Sequence, residues 1–119
     1  MGITEIAVEI ADPRDRTKWR QLQVIADTGA IFSVFPRETL QELGIAPYRE
    51  ETFHLADGSE IERQVGDVFL RINGKEHTVP IIFGLPTDTP ILGVTALEIL
   101  GFAVDPRTGK LEPTKMLLL

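Results

Sequence analysis

The stretch Val24-Ile25-Ala26-Asp27-Thr28-Gly29-Ala30 brings an apolar strand to a carboxylate, which is followed by a hydroxyl residue and a glycine. More apolar residues follow directly, at Ile31, Phe32, Val34 and Phe35. Loops generally run over protein surfaces, but a loop with apolar sequence on both sides is predicted to be buried. A buried carboxylate is costly unless it is paired or protonated. The pattern therefore predicts a chemical partner for Asp27.

An ordinary turn is a simpler interpretation of the same stretch. The Asp27 side chain would accept a hydrogen bond from the backbone two residues on, and Gly29 would supply a positive φ. Asp-Thr-Gly is short enough to occur by chance in a chain of this length. The tripeptide alone therefore leaves both interpretations open.

Two further motifs follow in chain order. Leu55-Ala56-Asp57-Gly58-Ser59-Glu60-Ile61 places an Asp-Gly turn between apolar residues, and Pro90-Ile91-Leu92-Gly93 leads into the helical pattern that ends near Phe102. Together with the Asp27 stretch, these motifs resemble the retroviral-type aspartic proteases (retropepsins). The resemblance extends from about Ile6 to the C-terminus and is greatest to the single-domain retropepsin-like proteins of prokaryotes.

This resemblance implies the fold class and the assembly. Residues 1–119 would form a single all-β domain, a closed acid-protease barrel with one short C-terminal helix. Residues 51–68 would form a hairpin flap over the active-site cleft. Because the Asp-Thr-Gly motif occurs once and the chemistry needs two aspartates, the domain would be active as a two-fold homodimer.

The resemblance also assigns the site. Its catalytic residues would be Asp27, Thr28 and Gly29, and the two Asp27 carboxylates of the dimer would share one proton. The ionised carboxylate would activate a water molecule while the protonated one polarises the peptide carbonyl. The implied function is an aspartic endopeptidase acting on a peptide or protein substrate. The implied substrate-binding residues are Ala30, Ile31, Ala56, Asp57, Gly58, Ser59 and Ile91.

The sequence departs from the family's pattern at two linked positions. Many retroviral enzymes pair an Asp after the alanine with an Arg after the late glycine, where this chain has Ile31 and Val94. Replacing both charges predicts an apolar contact in place of an ion pair. Ala30 also lacks the hydroxyl that pepsin-like enzymes place after the glycine. The pair is therefore expected to work at less acidic pH than pepsin does.

Local patterns predict most of the remaining elements. Alternating apolar residues between turn signals indicate many short strands, and Asn73-Gly74 predicts a β-hairpin. Residues 37–43 are predicted to form two helical turns ended by Gly44. A second helix is predicted from Thr95 to Leu100, with Glu98 completing a capping box.

The tail at residues 115–119 ends in four apolar residues, which predicts an interface; a frayed tail is the alternative interpretation. Exposed apolar residues at a chain end would be an aggregation hazard. By the family resemblance, this tail would interleave with residues 3–8 in a sheet between the two subunits.

Composition narrows the classes of function. The chain has 119 residues and a net charge of −6, so one domain is expected and nucleic acid is not an expected partner. There is no cysteine, and His54 and His77 lack ligand spacing, so neither a metal nor a cofactor is expected. The N-terminal residues do not resemble a signal peptide, and the apolar tail is too short to span a bilayer. The expected protein is cytoplasmic, with no membrane partner.

Two other classes of protein stay open. A non-catalytic retropepsin-fold module could dimerise or bind an extended peptide as an added strand, which needs no acid–base chemistry. An unrelated β-domain could use Asp27 only as a turn residue. Oligomeric state distinguishes that last case, because two Asp27 carboxylates cannot meet in a monomer.

Overall fold

The structure, a computed structural model, describes residues 4–116 and 118. Strands dominate it, as the sequence predicts. In chain order the elements are β1 (Glu5–Asp12), β2 (Asp15–Ala26), β3 (Ser33–Pro36), α1 (Arg37–Glu42), β4 (Arg49–His54), β5 (Glu60–Ile72), β6 (Lys75–Gly84), β7 (Ile91–Leu92), α2 (Val94–Leu100), β8 (Phe102–Asp105) and β9 (Lys110–Pro113).

Seven strands form the main sheet, in the order β1-β2-β7-β3-β6-β5-β4. Strand β1 also pairs with β5, through Glu9–Ala11 and Phe69–Arg71. The six strands β1-β2-β7-β3-β6-β5 are therefore each hydrogen-bonded to two neighbours in a ring. Strand β4 lies outside this ring and pairs with the first part of β5. Strands β8 and β9 form a separate two-stranded sheet.

Within the described residues, the buried apolar side chains form one cluster that packs against the main sheet. Both helices contribute to it, α1 through Leu40 and α2 through Ala96, Leu97 and Leu100. The strands contribute the larger part, including Val8, Ile10, Val24, Phe35, Val68, Leu70, Ile81, Phe83 and Leu92. Burial of these side chains is the main stabilising contribution to the fold.

The predicted turns and the first helix are confirmed. Asn73 and Gly74 join β5 to β6 with φ values of 50° and 81°, as a tight hairpin turn requires. Helix α1 ends at Glu42, and Gly44 follows it with a φ of 78°. His54 and His77 lie in β4 and β6.

The second helix begins one residue earlier than predicted, and its predicted capping box is wrong. Gly93 is the N-cap, and the cap has no side-chain hydrogen bond. The backbone N–H groups of Val94 and Thr95 donate instead to the carbonyls of Ala30 (2.7 Å) and Ile31 (3.2 Å). Contacts with the Asp27 loop therefore satisfy donors that a capping side chain would otherwise satisfy.

The predicted interfacial sheet involves residues outside the described part of the chain, namely 1–3, 117 and 119. Within the described part, β1 pairs with β2 along most of its length, from Glu5 opposite Ile25 to Ile10 opposite Arg20. In residues 4–116 and 118, no helix is long and apolar enough to cross a membrane.

Candidate active site

The loop that carries Asp27 is held by backbone hydrogen bonds from both sides. The Asp27 amide donates to the Leu92 carbonyl of β7 (2.9 Å), and the preceding Ile25 amide donates to the Pro90 carbonyl (3.1 Å). Within the loop, the Ala30 amide donates to the Asp27 carbonyl (3.2 Å). Strand β7 and the start of α2 therefore fix the position of the loop against the core.

Asp27, Thr28 and Gly29 are exposed in this chain, so the predicted burial of the loop is wrong. The neighbouring apolar residues divide between two environments: Val24 and Phe35 are buried in the core, whereas Ile31 is 65% exposed. An apolar pattern indicates only that a residue avoids water, and it does not specify which chain covers it.

The turn geometry of Asp27 agrees in part with the simpler interpretation. Its Oδ1 accepts a hydrogen bond from the Gly29 amide at 2.9 Å, two residues on. Gly29, however, does not have a positive φ. A side chain at Gly29 would instead place its Cβ 3.3 Å from Asp27 Oδ1. The glycine therefore leaves room for the carboxylate rather than providing an unusual backbone conformation.

A cleft of about 640 Å³ lies beside the loop, between β3, β7 and the β4–β5 hairpin (residues 49–65). Five of the predicted site residues line it: Gly29, Ala30, Ile31, Ala56 and Ile91. Most of its other walls are apolar, from Phe32, Val34, Phe53, Leu55, Ile61 and Ile82. Such a lining is typical of sites that bind apolar groups.

Asp27 and Thr28 lie at a second, adjoining cavity of about 520 Å³. The turn between β8 and β9, including Arg107 and Thr108, forms its opposite wall. Thr28 also borders a third cavity, of about 780 Å³, together with α2 and residues 114–116. The catalytic residues predicted from the sequence are therefore at the junction of three open surfaces.

The tip of the β4–β5 hairpin is not brought into the cleft. Among the predicted flap residues Ala56 lines the cleft, whereas Asp57, Gly58 and Ser59 do not. The Asp57 carboxylate turns back on its own loop and accepts hydrogen bonds from the amide (2.9 Å) and hydroxyl (2.6 Å) of Ser59. These bonds to Ser59 hold the pKa of Asp57 below its usual value.

Several residues of the cleft were not predicted from the sequence. Phe32 and Phe53 meet edge to face, with ring centroids 5.8 Å apart. Arg63 of β5 donates two hydrogen bonds to the Asp88 carboxylate, at 2.8 and 3.0 Å. Phe53 is an apolar residue between the polar residues Thr52 and His54 of β4, and this alternation indicates that its side chain faces inward. Nothing local in the sequence pairs Arg63 with Asp88.

The Arg63–Asp88 pair is the most protected ion pair at the cleft, with side chains 12% and 22% exposed. The hydrogen bonds from Arg63 hold the pKa of Asp88 below its usual value, and those to Asp88 raise the pKa of Arg63. The Asp88 carboxylate also accepts a hydrogen bond from the Leu85 amide at 2.8 Å. Asp88 therefore stays ionised and organises the loop that contains it.

The described residues contain no group of three or more His, Cys, Asp or Glu side chains placed to hold a metal ion. His54 lies at the edge of the cleft, with its Nδ1 3.2 Å from a Glu60 carboxylate oxygen across the hairpin. The Nδ1 of His77 lies 2.8 Å from the Thr78 carbonyl oxygen. Besides backbone groups, the polar side chains that line the cleft are His54, Arg63, Thr87, Asp88 and Thr89.

Solved structures with the same fold are retroviral and retropepsin-like aspartic proteases. The EIAV protease, in complex with the inhibitor HBY-793, has a TM-score of 0.61 and 22% identity, covering 84% of this chain and 89% of its own. A retropepsin-like aspartic protease from Rickettsia conorii has a TM-score of 0.52 and 21% identity, covering 88% and 89%. The retroviral protease-like domain of Ddi1 from Leishmania major has a TM-score of 0.57 and 14% identity, covering 94% and 90%.

This chain therefore has the retropepsin-like fold. No protein-family model matches the sequence, and no curated protein matches it. The comparison establishes the fold, and the function has to be argued from the site.

Proposed function

We propose that this protein is an aspartic endopeptidase whose active site forms when two copies place their Asp27 carboxylates side by side. One observation carries the proposal. In a retropepsin-like fold, the Asp27 carboxylate is exposed on a loop fixed by the Leu92 carbonyl, directly beside an apolar cleft. The proposed working unit is a two-fold dimer of closed barrels. The pairing of β1 with β5, which joins the two ends of the six-strand order, supports a closed barrel.

The proposed chemistry needs only the two carboxylates and a water molecule. Two carboxylates at close range do not both ionise readily, so the pair holds one proton. The ionised partner takes a proton from water, and the oxygen of that water attacks the peptide carbonyl while the protonated partner polarises it. The tetrahedral intermediate collapses with proton transfer to the departing amine. No covalent intermediate with the protein forms.

Exposed apolar side chains beside the Asp27 loop support a second copy as the partner. Met116 and Leu118 are 63% and 96% exposed in the single chain. Met116 borders the cavity shared by Thr28 and α2, so this apolar surface is continuous with the catalytic loop. Apolar surface of this kind indicates an interaction site. In the proposed dimer, Thr28 meets its own copy and fixes the two loops.

The substrate would lie in the cleft beside the loop. An extended peptide presents alternate side chains to opposite sides, and the cleft offers apolar walls to the side chains nearest Asp27. Ile31 and Ile91 would contact substrate in this arrangement. We propose the peptide-binding role of Asp57, Gly58 and Ser59 for a closed, substrate-bound state, in which the hairpin tip moves toward the peptide.

The test replaces Asp27 by Asn, which keeps the side-chain shape and removes the base. Peptide hydrolysis is expected to fall to background while the fold and the dimer persist. Asp15→Asn is the matched control, because Asp15 also accepts a hydrogen bond from the backbone two residues on, at the far end of β2. Unchanged cleavage by Asp27→Asn would overturn the proposal.

The dimer is tested separately by sedimentation. Removal of residues 116–119 is expected to shift the mass toward the monomer and to reduce hydrolysis in proportion. A wild-type chain that stays monomeric at tens of micromolar, while it cleaves peptide, would exclude a shared Asp27 pair.

A non-catalytic peptide-binding module is the second candidate, and the apolar cleft favours it as much as it favours an enzyme. Binding an extended peptide requires no acid–base chemistry. The two candidates differ in one measurement. A binding module retains peptide without cleaving it in both wild type and Asp27→Asn, whereas an enzyme does so only after the substitution.

A further inference from the structure

Two side-chain contacts join the β4–β5 hairpin to the opposite wall of the cleft. The first is the edge-to-face contact of Phe53 on β4 with Phe32. The second is the ion pair of Arg63 on β5 with Asp88, in the loop formed by residues 85–90. Phe53 and Arg63 lie on the same face of the hairpin, because Phe53 is opposite Ile61 and Arg63 is two residues further along β5.

The ion pair is built as a fixed connection rather than a loose surface contact. Arg63 uses both Nε and Nη2 to bind the two Asp88 oxygens, which is the planar, two-bond geometry that restricts orientation. Asp88 is itself fixed, because its Oδ2 accepts from the Leu85 amide while its own amide donates to the Leu85 carbonyl at 2.8 Å. Movement of Arg63 is therefore resisted by the whole turn.

The loop of residues 85–90 continues directly into the support of the Asp27 loop. Its last residue, Pro90, accepts a hydrogen bond from the Ile25 amide, and β7 then supplies the Leu92 carbonyl that binds the Asp27 amide. Ile91, between them, lines the cleft. The hairpin above the cleft and the catalytic loop below it are thus connected through Asp88.

We propose that Arg63 and Asp88 are positioning residues. Their ion pair fixes the base of the β4–β5 hairpin, where Arg63 lies, relative to the Asp27 loop, and so sets the width of the cleft that an extended peptide enters. The tip, residues 57–59, lies beyond this connection. The inference rests on the proposed function, since the peptide is the substrate of that same site. Neither side chain is required to touch the reacting atoms.

A second ion pair in the same sheet provides the comparison. Arg71 also binds a carboxylate through two nitrogens, at 3.0 and 3.1 Å from the oxygens of Glu9. This pair joins β5 to β1, and neither Arg71 nor Glu9 is among the residues that line the cleft. Arg71→Gln therefore removes a two-bond ion pair from the same strand without touching the cleft. It also removes the ion pair to Glu76 (3.2 Å) and the stacking of Arg71 on Trp19 (3.8 Å to the ring centroid), so its loss of stability is an upper bound for the comparison.

The experiment compares Arg63→Gln, Asp88→Asn, the double variant and Arg71→Gln in the full-length protein. Asparagine at 88 can still accept from the Leu85 amide, so the turn is retained while the charge is lost. For Arg63→Gln, KM for a peptide substrate is expected to rise about tenfold, with a smaller change in kcat. The double variant is expected to match the worse single variant, because both changes remove one shared interaction.

Amide hydrogen exchange in residues 51–61 provides a readout that does not depend on hydrolysis. Faster exchange there in Arg63→Gln and Asp88→Asn, but not in Arg71→Gln, supports the positioning role. If wild type hydrolyses no peptide and this exchange pattern still appears, the connection is supported and the proposed enzyme is not. If wild type is active and Arg63→Gln changes neither KM nor hairpin exchange, the inference is overturned. A loss of stability equal to that of Arg71→Gln, with unchanged KM, also overturns it.

Discussion

Gly93 packs directly against the backbone carbonyl of Phe32. A Cβ at position 93 would lie 2.6 Å from both the carbon and the oxygen of that carbonyl. No unstrained side chain fits at this distance, because the neighbouring atoms belong to backbone and cannot rotate away. The start of α2 can therefore approach the segment after Asp27 only if residue 93 is glycine.

The first prediction follows from this contact. Gly93→Ala is expected to reduce the free energy of unfolding by about 1–3 kcal/mol, and to reduce hydrolysis further by displacing the Asp27 loop. Urea denaturation and a peptide assay test the two effects. Gly44→Ala is the comparison, because Gly44 has a φ of 78° with open space around it. That variant is expected to lose stability without losing specific activity; equal loss of activity in both would contradict the argument.

The second prediction concerns the buried Ser33 hydroxyl. Ser33 is 2% exposed, and its Oγ accepts a hydrogen bond from the Gly93 amide at 2.9 Å. Ser33→Ala leaves that amide without its partner, so unfolding should become easier by about 1–3 kcal/mol. Ser59→Ala, at the exposed tip of the β4–β5 hairpin, should change stability far less. Chemical denaturation of the two variants checks the difference.

The third prediction is a pH dependence of stability. The pKa of Asp88 is lowered in the folded state by Arg63, so the unfolded state binds more protons as the pH falls. The contribution of Asp88 is therefore complete above its unfolded pKa, about 4, and is lost as the pH falls through its folded value. Wild type should exceed Asp88→Asn in stability near neutral pH, and the two should converge as the pH falls below the lowered pKa of Asp88 in the folded state.

Urea denaturation of both proteins at several pH values tests this prediction. Glu9, Asp15 and Asp57 also have lowered pKa values, but they are present in both proteins and cancel in the difference. A difference that stays constant from neutral to acid pH would show that Asp88 contributes through shape alone.

The fourth prediction concerns the pH profile of hydrolysis. Ala30 offers no hydroxyl to the ionised form of the proposed Asp27 pair, so activity is expected in mildly acid solution. Ala30→Ser supplies a donor, and the acid limb of the rate profile should move to lower pH. Sedimentation at each pH must accompany the assay, because loss of the dimer would imitate the effect. An intact dimer with an unmoved acid limb would refute the role assigned to position 30.

Much of the fold could be predicted because its signals are local. The Asn73-Gly74 turn, the end of α1 near Gly44 and the many short strands follow from residues close together in sequence. The predicted capping box at Glu98 was wrong for a non-local reason: the Ala30 and Ile31 carbonyls already accept hydrogen bonds from the first amides of α2.

The candidate site was predictable in part. The Asp27 loop and the lining residues Ala56 and Ile91 were recognised because each belongs to a short motif. The Arg63–Asp88 pair was not recognised, since its members are separated by 25 residues and meet only through the tertiary fold. The exposure of Asp27 was missed because an apolar pattern does not distinguish a core from an interface.

Strand β5 belongs both to the β4–β5 hairpin and to the main sheet. Its thirteen residues run without interruption from the hairpin, where β4 is the partner, into the ring, where β6 and β1 are the partners. Gly66, just past the change of partner, leaves no space for a side chain, because a Cβ there would lie 2.9 Å from the Phe83 ring. The hairpin and the core therefore share one continuous strand, β5. A ligand that immobilises residues 60–65 is expected to slow amide exchange at Val68 and Leu70 as well, so occupancy of the cleft can be monitored from the interior of the protein.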